Sequence, residues 1–207
     1  MLNLTEMLDG ELTKLRNVVR FSNSTRIKDE SVAEHSYFTA YYAMMLARAL
    51  SVKEGVKIDM GKVLEAALLH DIDEAMSGDF VRHFKYMDAD LKSHIETATE
   101  KLMQHAFEPM FMCDNTYLSQ KLNHIWKTAK DASTLEGDIV AFADFLSVLS
   151  YVMNEIDCGN LKLVRQLDDM QEYANSFYKR KFIAYEEVLS WMAHVRNILQ
   201  RYNLIRS

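Results

Sequence analysis

Apolar residues recur at helical spacing along most of the chain, and short polar turns separate the apolar stretches. This pattern predicts roughly seven long helices. They are expected at about Leu4 to Val19, from Ser31 onward, Met60 to Leu69, Asp90 to Met112, Thr116 to Lys130, Thr134 to Glu155 and, in one or two pieces, Leu161 to Tyr202. No repeat and no Gly/Ser/Pro-rich linker divides the chain, so we predict an all-α fold, a single helical bundle over residues 1–207.

The second predicted helix has a clear start. Ser31 and Glu34 have the spacing of a capping box, in which each side chain binds the other residue's backbone N–H. His35 is therefore expected in the first turn. The residues that follow are apolar nearly all round, which predicts a central helix and core packing for its aromatic side chains, Tyr37, Phe38, Tyr41 and Tyr42.

The helix from Thr134 to Glu155 carries an acidic residue among apolar ones. Apolar side chains surround Asp144 at every azimuth, which predicts that its carboxylate is buried. An unpaired buried charge costs several kcal/mol, so Asp144 is expected to have a strong partner.

The composition supports a helical protein with a large core. Of 207 residues, 49% are hydrophobic, whereas six glycines and one proline leave few turn-forming residues. Cys113 and Cys158 lie far apart without C-x-x-C spacing, so we predict reduced, buried thiols and neither a disulfide framework nor a thiolate metal site. No secretion signal and no uncharged apolar stretch of membrane-spanning length is recognisable, which favours a cytoplasmic protein without a membrane partner.

The charge balance limits the class of partner. Acidic residues outnumber basic ones by 30 to 24, so the surface should repel a long polyanion, and we expect no long nucleic acid as partner. A small phosphorylated molecule stays possible, because a metal and one or two cations suffice to hold it.

Three predicted helices each carry residues that bind metals. His35 opens one helix, His70-Asp71 closes a second, and Asp144 lies inside a third. Imidazole and carboxylate groups suit Mn, Fe, Co, Ni or Zn, and four protein ligands leave positions open for water and a phosphate oxygen. The structural alternative is a helix-start histidine, a core histidine and a buried ion pair. Asp138 is a rival ligand, but it lies on a different helix face and suits the helix dipole as a first-turn acid.

These residues occur in a recognisable order. The runs Glu34-His35-Ser36, His70 to Asp79, Lys85-Tyr86 and Ala143-Asp144 resemble the HD-domain 5'-deoxynucleotidases of bacteria, the YfbR-like group, and their phage relatives. The resemblance covers about residues 14 to 160. It implies an HD-type helical bundle that forms a homodimer and removes phosphate from deoxynucleoside 5'-monophosphates. It also implies one divalent metal ion, which could be Co, Mn, Zn, Ni, Fe or Mg.

The resemblance also implies roles for individual positions. His35, His70, Asp71 and Asp144 match the metal ligands, Glu74 matches the acid that orients or deprotonates water, Arg20 and Lys85 match phosphate-contacting cations, and Ser77 and Asp79 match the sugar-side wall. Phe21 stands where the bacterial group tends to carry Trp, and the proline expected after Asp79 is missing. Both departures concern the nucleoside pocket.

The residues alone leave several of these roles open. Glu74 follows His70 by one helical turn, and its alternative is an exposed acid in a turn. Arg20 and Lys85 have the alternative of ordinary surface charges. Phe21 is suited to stacking on a base or to core packing.

Other functions fit parts of the pattern. Alarmone hydrolases of the HD type usually have Asp after the acid, where this chain has Ala75, and are therefore disfavoured. A phage-type deoxynucleoside triphosphate hydrolase is the main enzymatic alternative. A helical scaffold with a structural metal is the non-enzymatic one.

Overall fold

The computed structural model describes residues 2–80, 82–85, 87–111, 116–165 and 170. Its α-helices are α1 Leu4–Asp9, α2 Val32–Glu54, α3 Met60–Leu69, α4 Glu74–Ser77, α5 Arg82–Lys85, α6 Ala89–Met103, α7 Thr116–Lys130 and α8 Leu135–Asp157. Short 3-10 segments cover Glu11–Asn17, Glu108–Met110 and Leu161–Arg165. Within these described ranges, extended pairing is limited to the isolated bridges Leu2 to Phe111 and Val19 to Ser31. The prediction of an all-α fold is confirmed.

Small buried residues let the central helices approach each other closely. Ala43 and Ala47 of α2 and Ala66 and Ala67 of α3 are fully buried, so these two helices pack with little side-chain bulk between them. The long helix α8 packs against both, and its Phe142 is fully buried in the same cluster. This arrangement fixes the relative positions of α2, α3 and α8, the three helices that carry or end at the predicted metal ligands.

The start of α2 agrees with its prediction. The Ser31 hydroxyl accepts from the Glu34 backbone N–H at 3.2 Å, and the Glu34 carboxylate accepts from the Ser31 backbone N–H at 2.7 Å. Both halves of the capping box are therefore present, and His35 lies in the first turn. The predicted bounds of α3 and α7 are also confirmed.

Three predicted helices differ from expectation within the described residues. The segment Leu4 to Val19 is not one helix, because α1 ends at Gly10, whose extended backbone leads into the 3-10 segment. A Cβ at Gly10 would collide with the Glu6 carbonyl oxygen, so this turn requires glycine. Helix α6 ends at Met103 rather than at Met112. The predicted C-terminal helix begins as the 3-10 segment Leu161–Arg165. Apart from Met170, the rest of that predicted helix lies outside the described residues.

Several side chains are more exposed than predicted. Tyr37, Phe38 and Tyr41 are 62%, 45% and 45% exposed, so their assignment to the core is wrong. They lie on the side of α2 that faces away from α3 and α8, whereas Tyr42 packs against the core. Cys158 is an exposed free thiol and not a buried one, because it follows the last turn of α8. Cys113 lies outside the described residues.

Helix α8 is the most apolar long helix. Of the described helices, it alone has the length and apolar composition that a membrane crossing would require, and 61% of its most apolar window is buried inside the protein. Its packing against α2 and α3 accounts for this apolar character without a membrane.

Candidate active site

Three packed helices bring four predicted metal ligands together. His35 lies in the first turn of α2, His70 caps the C-terminus of α3 with Asp71 directly after it, and Asp144 lies in the middle of α8. Both imidazoles are buried. Asp144 is less buried than predicted, with 38% of its side chain exposed. Its face of α8 is turned toward the other three predicted ligands, which together with Asp144 are called the cluster below, rather than into the apolar core.

The ligand atoms meet at short distances. The two imidazole Nε2 atoms are 3.1 Å apart, and Asp144 Oδ1 lies 3.0 Å from His35 Nε2. Asp71 Oδ2 lies 3.1 Å from His70 Nε2 and 3.6 Å from His35 Nε2. Ligand-type atoms of His35, His70 and Asp71 all lie within 4.8 Å of one another. The partner predicted for Asp144 is therefore His35.

The second nitrogen of each imidazole is already engaged. His70 Nδ1 lies 2.8 Å from the Ala67 carbonyl oxygen, and a carbonyl can only accept, so this nitrogen carries the proton. His35 Nδ1 lies 2.9 Å from Ser147 Oγ, which can accept because its own hydroxyl proton points to the His35 carbonyl at 3.4 Å. Both Nε2 lone pairs then face each other and the two carboxylates. Such a set of acceptors needs a shared cation, and its imidazole and carboxylate chemistry fits a divalent metal.

The charges in the cluster are consistent with this fit. Burial, assisted by Arg20, lowers the pKa of His35 to about 4, so this imidazole is neutral at neutral pH. Burial also works to lower the pKa of His70, but the adjacent Asp71 carboxylate raises it. The carboxylates of the cluster thus favour a positive charge between the two imidazoles, which a bound metal ion would supply.

Glu74 is placed beside this cluster by the turn after α3. The Glu74 backbone N–H donates to the Asp71 carbonyl at 3.0 Å, which starts the short helix α4. Its Oε2 atom is buried and has no hydrogen-bond partner. Burial, followed by repulsion from Asp71 and Asp79, raises the pKa of Glu74 to about 10. Glu74 is therefore not an exposed turn residue, and its carboxyl lies in the electrostatic field of the cluster.

A second group of side chains lies on the other side of Asp71. Lys130, at the end of α7, places Nζ 3.6 Å from Asp71 Oδ1 and 3.2 Å from Asp73 Oδ1. The indole N–H of Trp126 donates to the same Asp73 oxygen at 2.9 Å. Although burial opposes it, the field of His70 and Lys130 keeps the pKa of Asp71 well below its usual range. Asp71 is thus ionised.

The two predicted substrate cations lie near different carboxylates of the site. Arg20 Nη1 donates to Glu30 at 3.0 Å. Burial works to lower the pKa of Arg20, but nearby carboxylates, above all Asp144, raise it. Lys85 in α5 lies close enough to Asp79 to lower the pKa of that carboxyl, although burial has the larger and opposite effect.

Both the backbone and the ring of Phe21 make contacts that fix its position. Its backbone N–H donates to the Asp79 carboxylate at 3.3 Å. Its φ of 53° lies in the left-handed region, where residues other than glycine are strained. Its ring stacks on Tyr151 of α8 with centroids 5.0 Å apart. Phe21 thus packs against the core, and one face of its ring is already covered.

The loop that follows Phe21 is fastened to the end of α8. The fully buried Glu155 carboxylate accepts from the backbone N–H groups of Ile27 and Lys28 at 2.7 and 2.8 Å. Asn160 donates to the Glu155 carboxylate and to the Thr25 carbonyl, both at 2.8 Å. The C-terminal end of α8 therefore fixes the loop of Arg20 and Phe21.

The remaining predicted residues occupy the turn after Glu74. The single proton of the Ser77 hydroxyl is shared between the carbonyl oxygens of Asp73 and Gly78, both 3.2 Å away, so in this structure Ser77 stabilises its own turn. Val81 and Tyr86 lie outside the described residues, as do the side chains of Arg82 and His83.

Sequence reasoning missed three parts of this site. Ser147 follows Asp144 by three residues, and this spacing on one helix face could have revealed it. Lys130 looked like an ordinary cation at a helix C-terminus, and its contact with Asp71 depends on how α7 packs on α3. Glu155 gave no local signal, because its backbone partners are more than a hundred residues away.

Comparisons with known proteins identify the family of the chain. The sequence model of the YfbR-like 5'-deoxynucleotidase family matches residues 10–192. A 5'-deoxynucleotidase of Klebsiella pneumoniae is 26% identical over 154 residues, which are 73% of each chain. The 5'-deoxynucleotidase YfbR of Salmonella paratyphi B is 22% identical over 177 residues, 84% of this chain and 88% of the relative.

The fold has solved counterparts. A crystal structure of an HD-domain phosphohydrolase from Listeria innocua matches with a TM-score of 0.76 at 24% identity. The match covers 94% of this chain and 89% of the Listeria chain. At that identity the likeness establishes the HD-domain fold, whereas the family match spans most of the chain. The chain therefore belongs to the YfbR-like 5'-deoxynucleotidase family and is a phosphohydrolase.

Proposed function

We propose that the protein removes phosphate from deoxynucleoside 5'-monophosphates, with one divalent ion held by His35, His70, Asp71 and Asp144. The observation that carries the proposal is the convergence of these ligand atoms, together with a buried, unpartnered Glu74 carboxyl that lies in the field of Asp71. The family match and the relatives called 5'-deoxynucleotidases support the substrate class.

When bound by these four residues, the ion would supply Lewis-acid chemistry at the phosphate and would favour the ionised form of a nearby carboxylate. Glu74 then orients the attacking water and takes its proton, as a general base placed within the cluster's field. Burial, followed by repulsion from Asp71 and Asp79, raises the pKa of Glu74 to about 10, and a bound cation would offset that repulsion.

The substrate cations have separate tasks. Arg20 is anchored on Glu30 and lies in the field of the cluster carboxylates, so it is placed to neutralise a phosphate group. Lys85 approaches from the side of Asp79, where it would balance that carboxylate. Ser77 and Asp79 are proposed to line the sugar side. Phe21 supports them, because its core-facing ring and its bond to Asp79 fix that wall.

A substrate panel tests the proposal. Purified protein would be assayed for phosphate release from deoxy- and ribonucleoside mono- and triphosphates in the presence of Mn, Co, Mg, Zn or EDTA. We expect phosphate release from deoxynucleoside monophosphates and much lower rates with ribonucleotides. Equal rates on ribonucleotides would contradict the deoxy preference, and tripolyphosphate release from deoxynucleoside triphosphates would indicate a triphosphate hydrolase instead.

We also propose that the protein forms a homodimer. The exposed Tyr37, Phe38, Tyr41 and Met45 of α2 support it, since they form an apolar patch on one helix. Light scattering after size exclusion tests this proposal, and Tyr41→Lys should shift the protein toward the monomer. A wild-type protein that is monomeric at high concentration would contradict it.

A further inference from the structure

The two oxygens of Asp71 face different partners. Oδ2 lies 3.1 Å from His70 Nε2 and 3.6 Å from His35 Nε2, on the side where the four ligands meet. Oδ1 faces the opposite way, 3.6 Å from Lys130 Nζ. A carboxylate left alone beside a divalent ion can turn to offer both oxygens, so the partner of Oδ1 affects how Asp71 binds.

Lys130 is itself held in place by a buried anchor. Its Nζ lies 3.2 Å from Asp73 Oδ1, and the Asp73 side chain is nearly enclosed. Trp126, one turn before Lys130 on α7, donates to the same Asp73 oxygen at 2.9 Å, and the ammonium also lies over its ring, 5.6 Å from the centroid. These contacts fix the ammonium although the Lys130 side chain is 39% exposed.

This connection differs from an ordinary surface ion pair. Surface pairs contribute at most about 1 kcal/mol, partly because both side chains lose freedom when they pair. Here the turn after α3 already fixes Asp71 and Asp73. The Lys130 ammonium therefore binds between two carboxylates whose positions do not depend on it. The contact joins α7 to the metal cluster.

We infer that Lys130 is a positioning residue for the metal site: by holding Oδ1 of Asp71, it leaves only Oδ2 for the ion. The inference rests on the metal site of the proposed function and not on its substrate. Lys130 does not touch the reacting groups. It acts through Asp71, so its loss changes the coordination of the ion as well as the rate.

Cobalt binding tests the inference without turnover. The metal-free wild type and Lys130→Met would be titrated with Co²⁺, and the visible absorption of the bound ion, which reports its coordination number and geometry, would be recorded. We expect Lys130→Met to change the spectrum and to weaken Co²⁺ binding by about 10-fold or more, as for other residues that orient ligands. Lys130→Arg should restore both.

The control is Lys127→Met on the same helix. Lys127 lies 3.8 Å from Glu100, is half-exposed, and belongs to a different ion pair, so its loss should leave the cobalt spectrum unchanged. If Lys130→Met does not fold, Asp73→Asn removes the charge that anchors Lys130 and should alter the spectrum in the same direction.

Three results would overturn the inference. An unchanged spectrum and affinity in Lys130→Met would show that Asp71 needs no such partner. Tighter Co²⁺ binding with an unchanged spectrum would mean that Lys130 only repels the ion. A raised KM alone, with metal binding intact, would make Lys130 a substrate contact. A wild type that binds no Co²⁺ would instead refute the metal site of the proposed function.

Discussion

The metal cluster and the loop of Arg20 and Phe21 are built in different ways. The cluster residues lie on the packed helices α2, α3 and α8 or directly at their ends, and the distal nitrogen of each imidazole is engaged nearby. The loop is irregular and contains a residue with positive φ, Phe21. Its position depends on the buried carboxylate of Glu155 at the far end of α8. The comparison teaches that the proposed metal ligands belong to the helical core, whereas the proposed substrate residues Arg20 and Phe21 lie on a segment that the core holds in place.

The largest expected effect separates two acids of α8. Asp144→Ala should lose the ion and lower phosphate release on the order of 10³-fold or more, because metal catalysis contributes several kcal/mol. Asp138→Ala should keep both, since Asp138 lies in the first turn of α8, away from the cluster. Metal analysis of the two purified variants checks this. If Asp138→Ala loses the ion and Asp144→Ala keeps it, the ligand assignment is wrong.

The next effect separates chemistry from metal binding. Glu74→Gln should lower kcat by about 10² to 10⁴-fold, the usual contribution of a general base, while the metal content stays at the wild-type level. Steady-state kinetics with parallel metal analysis measures this. Glu65→Gln, at an exposed position of α3, is the control. Full activity in Glu74→Gln would remove the proposed base.

A smaller effect concerns the support of the cluster. Ser147→Ala removes the acceptor for His35 Nδ1, so metal affinity should fall about 10 to 100-fold, while KM at saturating metal changes little. Isothermal titration with Mn²⁺ measures the affinity, and Ser150→Ala on the same helix is the control. Unchanged affinity would show that Ser147 does not orient His35.

The corresponding change at the loop should have the opposite profile. Glu155→Gln leaves a buried backbone N–H facing an amide donor, which should destabilise the protein by about 1 to 3 kcal/mol and raise KM. Metal affinity should stay near the wild-type value. Denaturant unfolding and kinetics check this, with Glu136→Gln of α8 as the control. A loss of metal affinity in Glu155→Gln would break the separation of cluster and loop.

The pH dependence of the metal-free protein follows from Glu74. Its pKa is raised from 4.5 to about 10, so the folded state keeps a proton that the unfolded chain releases, and stability should fall as the pH rises through this range. Glu74→Gln should flatten that decline. Thermal unfolding between about pH 5 and pH 9 measures it, and an equally steep decline in Glu74→Gln would show that another group causes it.

The sequence predicts the cluster better than its surroundings. The capping box places His35, and the apolar runs of α3 and α8 place His70 and Asp144, because each signal is local to one helix. The surroundings of Ser77 and of the aromatic residues of α2 are harder to predict, because they depend on which helix faces the neighbouring segments cover. The Ser77 hydroxyl, for example, binds the backbone of its own turn. Contacts such as Lys130 with Asp71 and Glu155 with the loop join distant segments, which no local pattern encodes.

The central claim is that one ion in the helical cluster carries the activity. The direct measurement removes all metal with a chelator, adds Mn²⁺ or Co²⁺ back in steps, and follows bound ion and phosphate release from a deoxynucleoside 5'-monophosphate together. We predict no release after chelation and a rise in proportion to bound ion that ends at one ion per chain. Release that survives complete chelation, or that needs a second ion, would contradict the claim.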